Sequence, residues 1–207
     1  QEEPRGLHAT VTLRHTVRPV TVRVHMLLDG TPILTRWLEI TNTGPQPAAL
    51  AAACPWSGVL QLTPRWREHL PDSHAPLYSV GYMANDRWGH EGDFRWQPLP
   101  SGALRIDGRY RRDRHRHPMF VLLNHATGEH FVGQLAWSGG YSFEFDLDAN
   151  LEGGAAATLT FRAGPEAPAP QRVIAPGETV RTPEMHLGVV MGDLDAAIQA
   201  MHDHLRR

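Results

Sequence analysis

The sequence predicts an all-β protein of two packed sheets carrying one C-terminal helix. Three observations support the all-β reading. Apolar and polar residues alternate through most of the 207 residues. Turn-forming pairs recur between the alternating runs, and a helical period occurs in one place, near Arg207. Alternation puts one side of a segment into a core and the other into water, as in half-buried antiparallel strands.

Val11-Thr12-Leu13 and Val20-Thr21-Val22-Arg23-Val24-His25-Met26 alternate cleanly, as do Tyr141 to Leu147 and Thr158 to Arg162. The expected strands are 7–14, 20–28, 33–42, 47–53, 57–62, 103–109, 118–124, 129–137, 140–147, 155–163 and 184–190. Turn chemistry separates them at Asp29-Gly30, Asn42-Thr43-Gly44-Pro45, Ser101-Gly102, Thr127-Gly128, Gly153-Gly154 and Pro176-Gly177. So many strands without intervening helices imply two packed sheets. Residues 63–100, rich in Trp and Pro, read as one long irregular connection. Ala163 to Pro170 reads as an exposed hairpin loop. The helix runs over 193–206, with Leu194, Ala197, Ile198, Met201 and Leu205 on one face.

Composition excludes several functions. With 41% hydrophobic and 20% charged residues the chain is not disordered. A net charge of −2 argues against a nucleic-acid partner, and no apolar run reaches membrane-span length, so no membrane partner is expected. Every basic side chain apart from histidine is arginine, which removes Schiff-base chemistry and a P-loop lysine. Cys54 is the single cysteine, so there is no intramolecular disulfide and no cysteine-based zinc site. The expected role of Cys54 is a small buried hydrophobe.

His115 and His117 could share a metal on a strand, joined by His125 or His130, but the surrounding arginines repel cations. His202 and His204, two apart on a helix, point to different faces. Asp146 to Asn150 imitates an EF-hand start, yet Leu151 and Ala157 stand where glycine and glutamate belong. Neither a metal site nor a cofactor is expected. The carboxylate pairs Glu91/Asp93 and Glu144/Asp146 read as solvated acids rather than a glycosidase pair. The loop Asp86 to Trp96 is more suggestive. Its indoles could stack on sugar rings, with Arg, Asp and Glu bonding hydroxyls; equally, Trp88 and Trp96 could cap one end of the core.

Six segments, in order, resemble the N-terminal domain of glycoside hydrolase family 36 α-galactosidases (melibiases). Arg36 to Gly44 resembles its R-x-x-x-I-x-N-x-G strand and turn, and Trp88-Gly89-His90-Glu91 its G-x-W-x-x-E loop. His117-Pro118-Met119-Phe120 resembles its N/H-P-F strand entry, and Phe131 to Gly139 its G-x-x-L-x-x-S-G-N hairpin. Pro176 to Glu184 resembles its P-G-E-x-F-x-T-P-E strand, and Gly192 to Arg206 the helix leading into its catalytic barrel.

The resemblance implies a two-sheet supersandwich of the galactose-mutarotase-like type over residues 1–192 and a helix over 193–207 leading toward a barrel that these residues do not include. The family's catalytic aspartates lie in that barrel, so no catalytic residue is expected here. The domain would pack on the barrel, contribute to a galactoside-binding pocket and form homo-oligomer contacts. Trp88 and Glu91 are then the substrate-proximal candidates, although Glu91 could instead be a structural hydrogen-bond acceptor. Gln1 in place of Met, and an end at Arg207, suggest a segment cut at a domain boundary. The compartment expected is the cytoplasm. Two other readings stay open: a free-standing carbohydrate-binding module, and a mutarotase-like epimerase using His90 and Glu91.

Overall fold

Alternation in the sequence becomes pleat in the structure. The computed structural model describes residues 6–72, 74–84, 89, 92–108, 116–149 and 156–207. The strands are β1 (Leu7–Arg14), β2 (Val20–Leu28), β3 (Ile33–Asn42), β4 (Ala48–Leu50), β5 (Trp56–Pro64), β6 (Tyr78–Met83), β7 (Phe94–Pro98) and β8 (Gly102–Gly108). Then come β9 (Met119–Asn124), β10 (Glu129–Leu135), β11 (Tyr141–Asp148), β12 (Ala156–Pro165), β13 (Arg172–Ile174), β14 (Thr179–Arg181), β15 (Met185–Met191) and the helix α1 (Leu194–Leu205).

A nine-stranded sheet runs β1-β2-β3-β15-β10-β9-β6-β7, with β14 also on β3. A four-stranded sheet runs β5-β12-β11-β8, and β13 pairs with β4. All pairings are antiparallel. This is the predicted class. Two expectations need correction. Residues 63–100 are not one irregular connection, because β6 and β7 lie within them and form an outer hairpin of the large sheet. Ala163, Gly164 and Pro165 finish β12, and the following residues lead from the four-stranded sheet to β13 rather than closing a hairpin.

The core lies between the two larger sheets. Phe120 of the large sheet packs edge-on against Phe143 and Phe145 of the small one, at centroid distances of 5.1 and 5.0 Å. Phe161 stacks on Phe145 at 4.9 Å. Such tilted contacts suit the ring quadrupoles and add to the burial of four large side chains. Gly133 makes room for the Phe120 ring; a Cβ there would stand 2.4 Å from a ring carbon.

Helix α1 packs on the opposite face of the large sheet. Ala197 and Met201 bury against Ile33, Val121 and Val132. Asp193 caps the helix by accepting the Ala196 N–H at 2.9 Å. The buried stripe differs from the expected one at its end: Leu205 is exposed and His204 is buried in its place.

The strands β1, β2 and β3 extend beyond the four-stranded sheet as a wing. Register aligns Leu7, Leu28 and Leu34; Ala9, Met26 and Arg36; Val11, Val24 and Leu38; and Leu13, Val22 and Ile40. Alternation puts these twelve side chains on the core-side face, and Arg36 is the only charge among them. Val20, Val22, Leu38 and Ile40 form a small satellite core with Leu50, Ile174 and Val180, whereas every residue of β1 is exposed.

Candidate functional site

The β6–β7 hairpin carries the aromatic loop singled out in the sequence. Trp88 and Glu91, with His90, lie outside the described residues. The Ala84 N–H donates to the Asp93 carbonyl at 2.9 Å, and Arg116 donates to the Ala84 and Asp107 carbonyls at 3.2 and 2.9 Å. Phe94 and Trp96 meet edge to face at 5.6 Å, their rings over Gly81, where a Cβ would collide with Phe94. Trp96 remains 40% exposed, so it caps the sheet surface and still offers indole to solvent.

Of the carboxylates that read as solvated acids, Asp93 and Glu144 are engaged by arginines. Arg95 holds Asp93 through two hydrogen bonds, at 3.1 and 2.9 Å, and its own pKa is raised by that contact. Glu144 on β11 takes Arg105 at 2.8 Å and also Arg162, an exposed ion network. Cys54 is half-buried rather than fully buried; burial raises its pKa, so it is a poor nucleophile. His115 and Asn150 to Leu151 lie outside the described residues, and no metal-binding cluster occurs among the described ones.

The structure assembles two clusters that sequence reasoning missed. One is on the outer face of the wing. His25 stacks on Trp37 at 4.8 Å with planes 2° apart, and His8 Nε2 lies 3.1 Å from His25 Nδ1. Arg181 approaches from β14, its guanidinium 4.6 Å from the Trp37 ring centroid. Arg23 pairs with Glu39 at 2.9 Å beneath them. The indole therefore lies between a histidine and an arginine drawn from opposite neighbouring strands, and its faces are used within the sheet.

The other cluster fastens α1. His204 Nδ1 lies 2.7 Å from Asp29 Oδ2, and His204 Nε2 lies 2.8 Å from His186 Nδ1. The Thr35 hydroxyl is 3.1 Å from His186 and 3.2 Å from His204. Burial alone would raise the Asp29 pKa. Hydrogen bonds from Thr31 and His204 and the nearby imidazole outweigh it and bring the carboxyl down to about 2. Burial, reinforced by His204, lowers the His186 pKa. Sequence spacing hid this cluster because its members come from the β2–β3 turn, β3, β15 and α1. The one available signal was a histidine three residues after Met201 on the helix face.

The fold is thus an antiparallel β-supersandwich with the β6–β7 pair at one edge and a helix docked on its outer face. No family model and no curated protein matches the sequence. Solved structures do match. A doubly substituted GH36 α-galactosidase AgaA from Geobacillus stearothermophilus, in complex with raffinose, superposes at TM-score 0.73 and 17% identity, over 98% of this chain and 26% of its own. An α-galactosidase from Lactobacillus brevis gives 0.66 at 16% identity, over 97% and 25%. A protein from Escherichia coli K12 assigned as an aldose 1-epimerase gives 0.50 at 16% identity, over 93% and 67%. In fold, the chain resembles the N-terminal domain of the GH36 α-galactosidases and spans about a quarter of their length. Among the described residues no helix is long and apolar enough to cross a membrane.

Proposed function

We propose that this chain is an accessory N-terminal domain of an α-galactosidase-like glycoside hydrolase. Residues 1–192 form the supersandwich unit, and 193–207 form the helix leading toward a catalytic barrel. It packs on that barrel, supplies homo-oligomer contacts and reaches the rim of a galactoside pocket through Trp88 and Glu91. A cytoplasmic location belongs to the same reading. One observation carries it: about a quarter of each α-galactosidase reproduces 96–98% of this chain. The engaged states of Asp93 and Glu144 agree with a scaffold whose parent holds the reacting carboxylates elsewhere.

The test is a glycosidase assay on the 207-residue chain with a nitrophenyl α-galactoside. The expected result is no turnover. Specific turnover abolished by substituting a single carboxylate of this chain sinks the reading. Titration of tryptophan fluorescence with galactosides addresses the binding-module alternative, which saturable quenching favours. The likeness to an aldose 1-epimerase favours one further reading, a sugar epimerase using His90 and Glu91. Polarimetry on freshly dissolved galactose decides it, and an uncatalysed rate removes it.

A further inference from the structure

The core-side face of the wing is apolar, and its outer edge, along β1 and the end of β2, is uncovered. Leu7 is 67% exposed, Leu13 54%, Val11 46% and Leu28 42%. Large contiguous apolar surface of this kind marks a contact site more often than free surface. Its polar reverse, with His25, Trp37 and Glu39, makes its own stacking and ion contacts. The two faces of the same three strands therefore differ in kind: one is polar, with ring stacking and the Arg23–Glu39 ion pair, and the other is apolar with an open edge.

Arg36 stands within the apolar face. Its guanidinium lies 5.2 Å from the Trp56 ring centroid, stacked on an indole that also walls a hollow with Leu34, Leu60 and Phe131. Among the described residues the Arg36 side chain has no hydrogen bond and no ion pair, and its Nε is buried without a partner. Burial lowers its pKa, and no acid offsets that. A partly desolvated guanidinium without a counter-charge is unfavourable unless something supplies one. Arginine is also the side chain best shaped to take a carboxylate through two parallel hydrogen bonds while stacked on an aromatic ring.

We propose that the β1–β2–β3 wing is a docking surface for a folded partner domain that presents one aspartate or glutamate within an apolar patch, and that Arg36 receives that carboxylate. A second copy of this chain does not fit the role. Two-fold pairing through this face would set the same surface against itself, and its only charge is positive. The proposal goes beyond the accessory-domain reading and does not depend on it, since its test involves neither sugar nor hydrolysis.

The test uses the 207-residue chain, its Arg36→Met variant and two capped pentapeptides, Leu-Phe-Glu-Leu-Val and the same sequence with Gln at the centre. The readouts are the Arg36 side-chain Nε–H resonance and the methyl resonances of Leu7, Val11 and Leu28. The Glu peptide is expected to shift these signals and to bind about fivefold more tightly than the Gln peptide, the size of one charge-assisted contact at a partly exposed site. In Arg36→Met the preference disappears while weak apolar binding of both peptides persists. Because the guanidinium is unpaired in the isolated chain, Arg36→Met also raises its melting temperature. Equal affinity of the two peptides for the unmodified chain, or shifts confined to other surfaces, overturns the proposal. So does a melting temperature lowered by Arg36→Met. Sedimentation showing copies of the chain paired through these leucines, or binding to anionic vesicles lost in Arg36→Met, would assign the face to another occupant and overturn it as well.

Discussion

His186 and His204 face each other through ring nitrogens, Nδ1 to Nε2, at 2.8 Å. Asp29 Oδ2 lies 2.7 Å from His204 Nδ1, and the contact between the two rings requires one nitrogen to give a proton and the other to accept it. A proton on each would set two cations side by side in a buried site. Glu184, 3.9 Å from His186, and Asp29 oppose this only in part.

Stability should therefore fall as pH drops below the ordinary imidazole value of 6.5. The unfolded chain takes up the proton there, while burial and His204 hold folded His186 below that value. His125, also lowered by burial, acts in the same direction. Calorimetry between pH 7.5 and 5.5 should show a declining melting temperature, with a shallower slope in His186→Gln. An unchanged slope in that variant would remove His186 from the account.

Asp29 acts in a more acid window. Its carboxyl is held at about 2 against an ordinary 3.8, so the stability it contributes is present above 3.8 and lost as pH falls through about 2. Asp29→Asn should flatten the unfolding midpoint across that range, as followed by urea titration at fixed pH values.

His204→Ala removes the hydrogen bonds that tie α1 to β15 and to the β2–β3 turn. Leaving His186 and Asp29 without this buried partner should cost about 3 kcal/mol in urea unfolding. Amide exchange should quicken most along α1. Uniform acceleration across both sheets would show instead that the helix is not a separate layer of stability.

Asp193→Ala tests the same helix at its other end. Loss of the cap to Ala196 should cost about 1 kcal/mol, without the pH dependence of the histidine variants.

Gly133→Ala probes the core. The new methyl meets the Phe120 ring, itself wedged against Phe143 and Phe145, so the ring has nowhere to move. Overpacking of this kind should cost about 1–3 kcal/mol, read as a lower denaturant midpoint with an unchanged slope.

Much of this fold is legible in local pattern. Runs such as Val20 to Met26 and Tyr141 to Leu147 alternate strictly because each has one wet face, and both form strands over the expected residues. β6 and β7 escaped notice because Pro71, Pro76, Pro98 and Pro100 surround them with turn chemistry. β13 and β14 are three residues each, too short for a period to register. Long-range clusters were harder still. His204 lies off the face of His202, and its partners are 18 and 175 residues away in sequence. Arg36 was visible as part of a motif. Its lack of a partner became visible only when the strands around it were placed.

β15 sits between β3 and β10, so the large sheet is joined across its middle by a strand made late. Thr35 and His186, opposite one another in that join, are 151 residues apart. At ribosomal speeds of about 5–20 residues per second, β3 waits roughly 8–30 s for its neighbour. During that interval the nascent hairpin of β2 and β3 has an open edge, with Ile33 and Leu34 uncovered, and can pair with the wrong strand. The tempo of translation, and chaperones that shield open strand edges, should therefore govern the yield of this domain more than its final stability does.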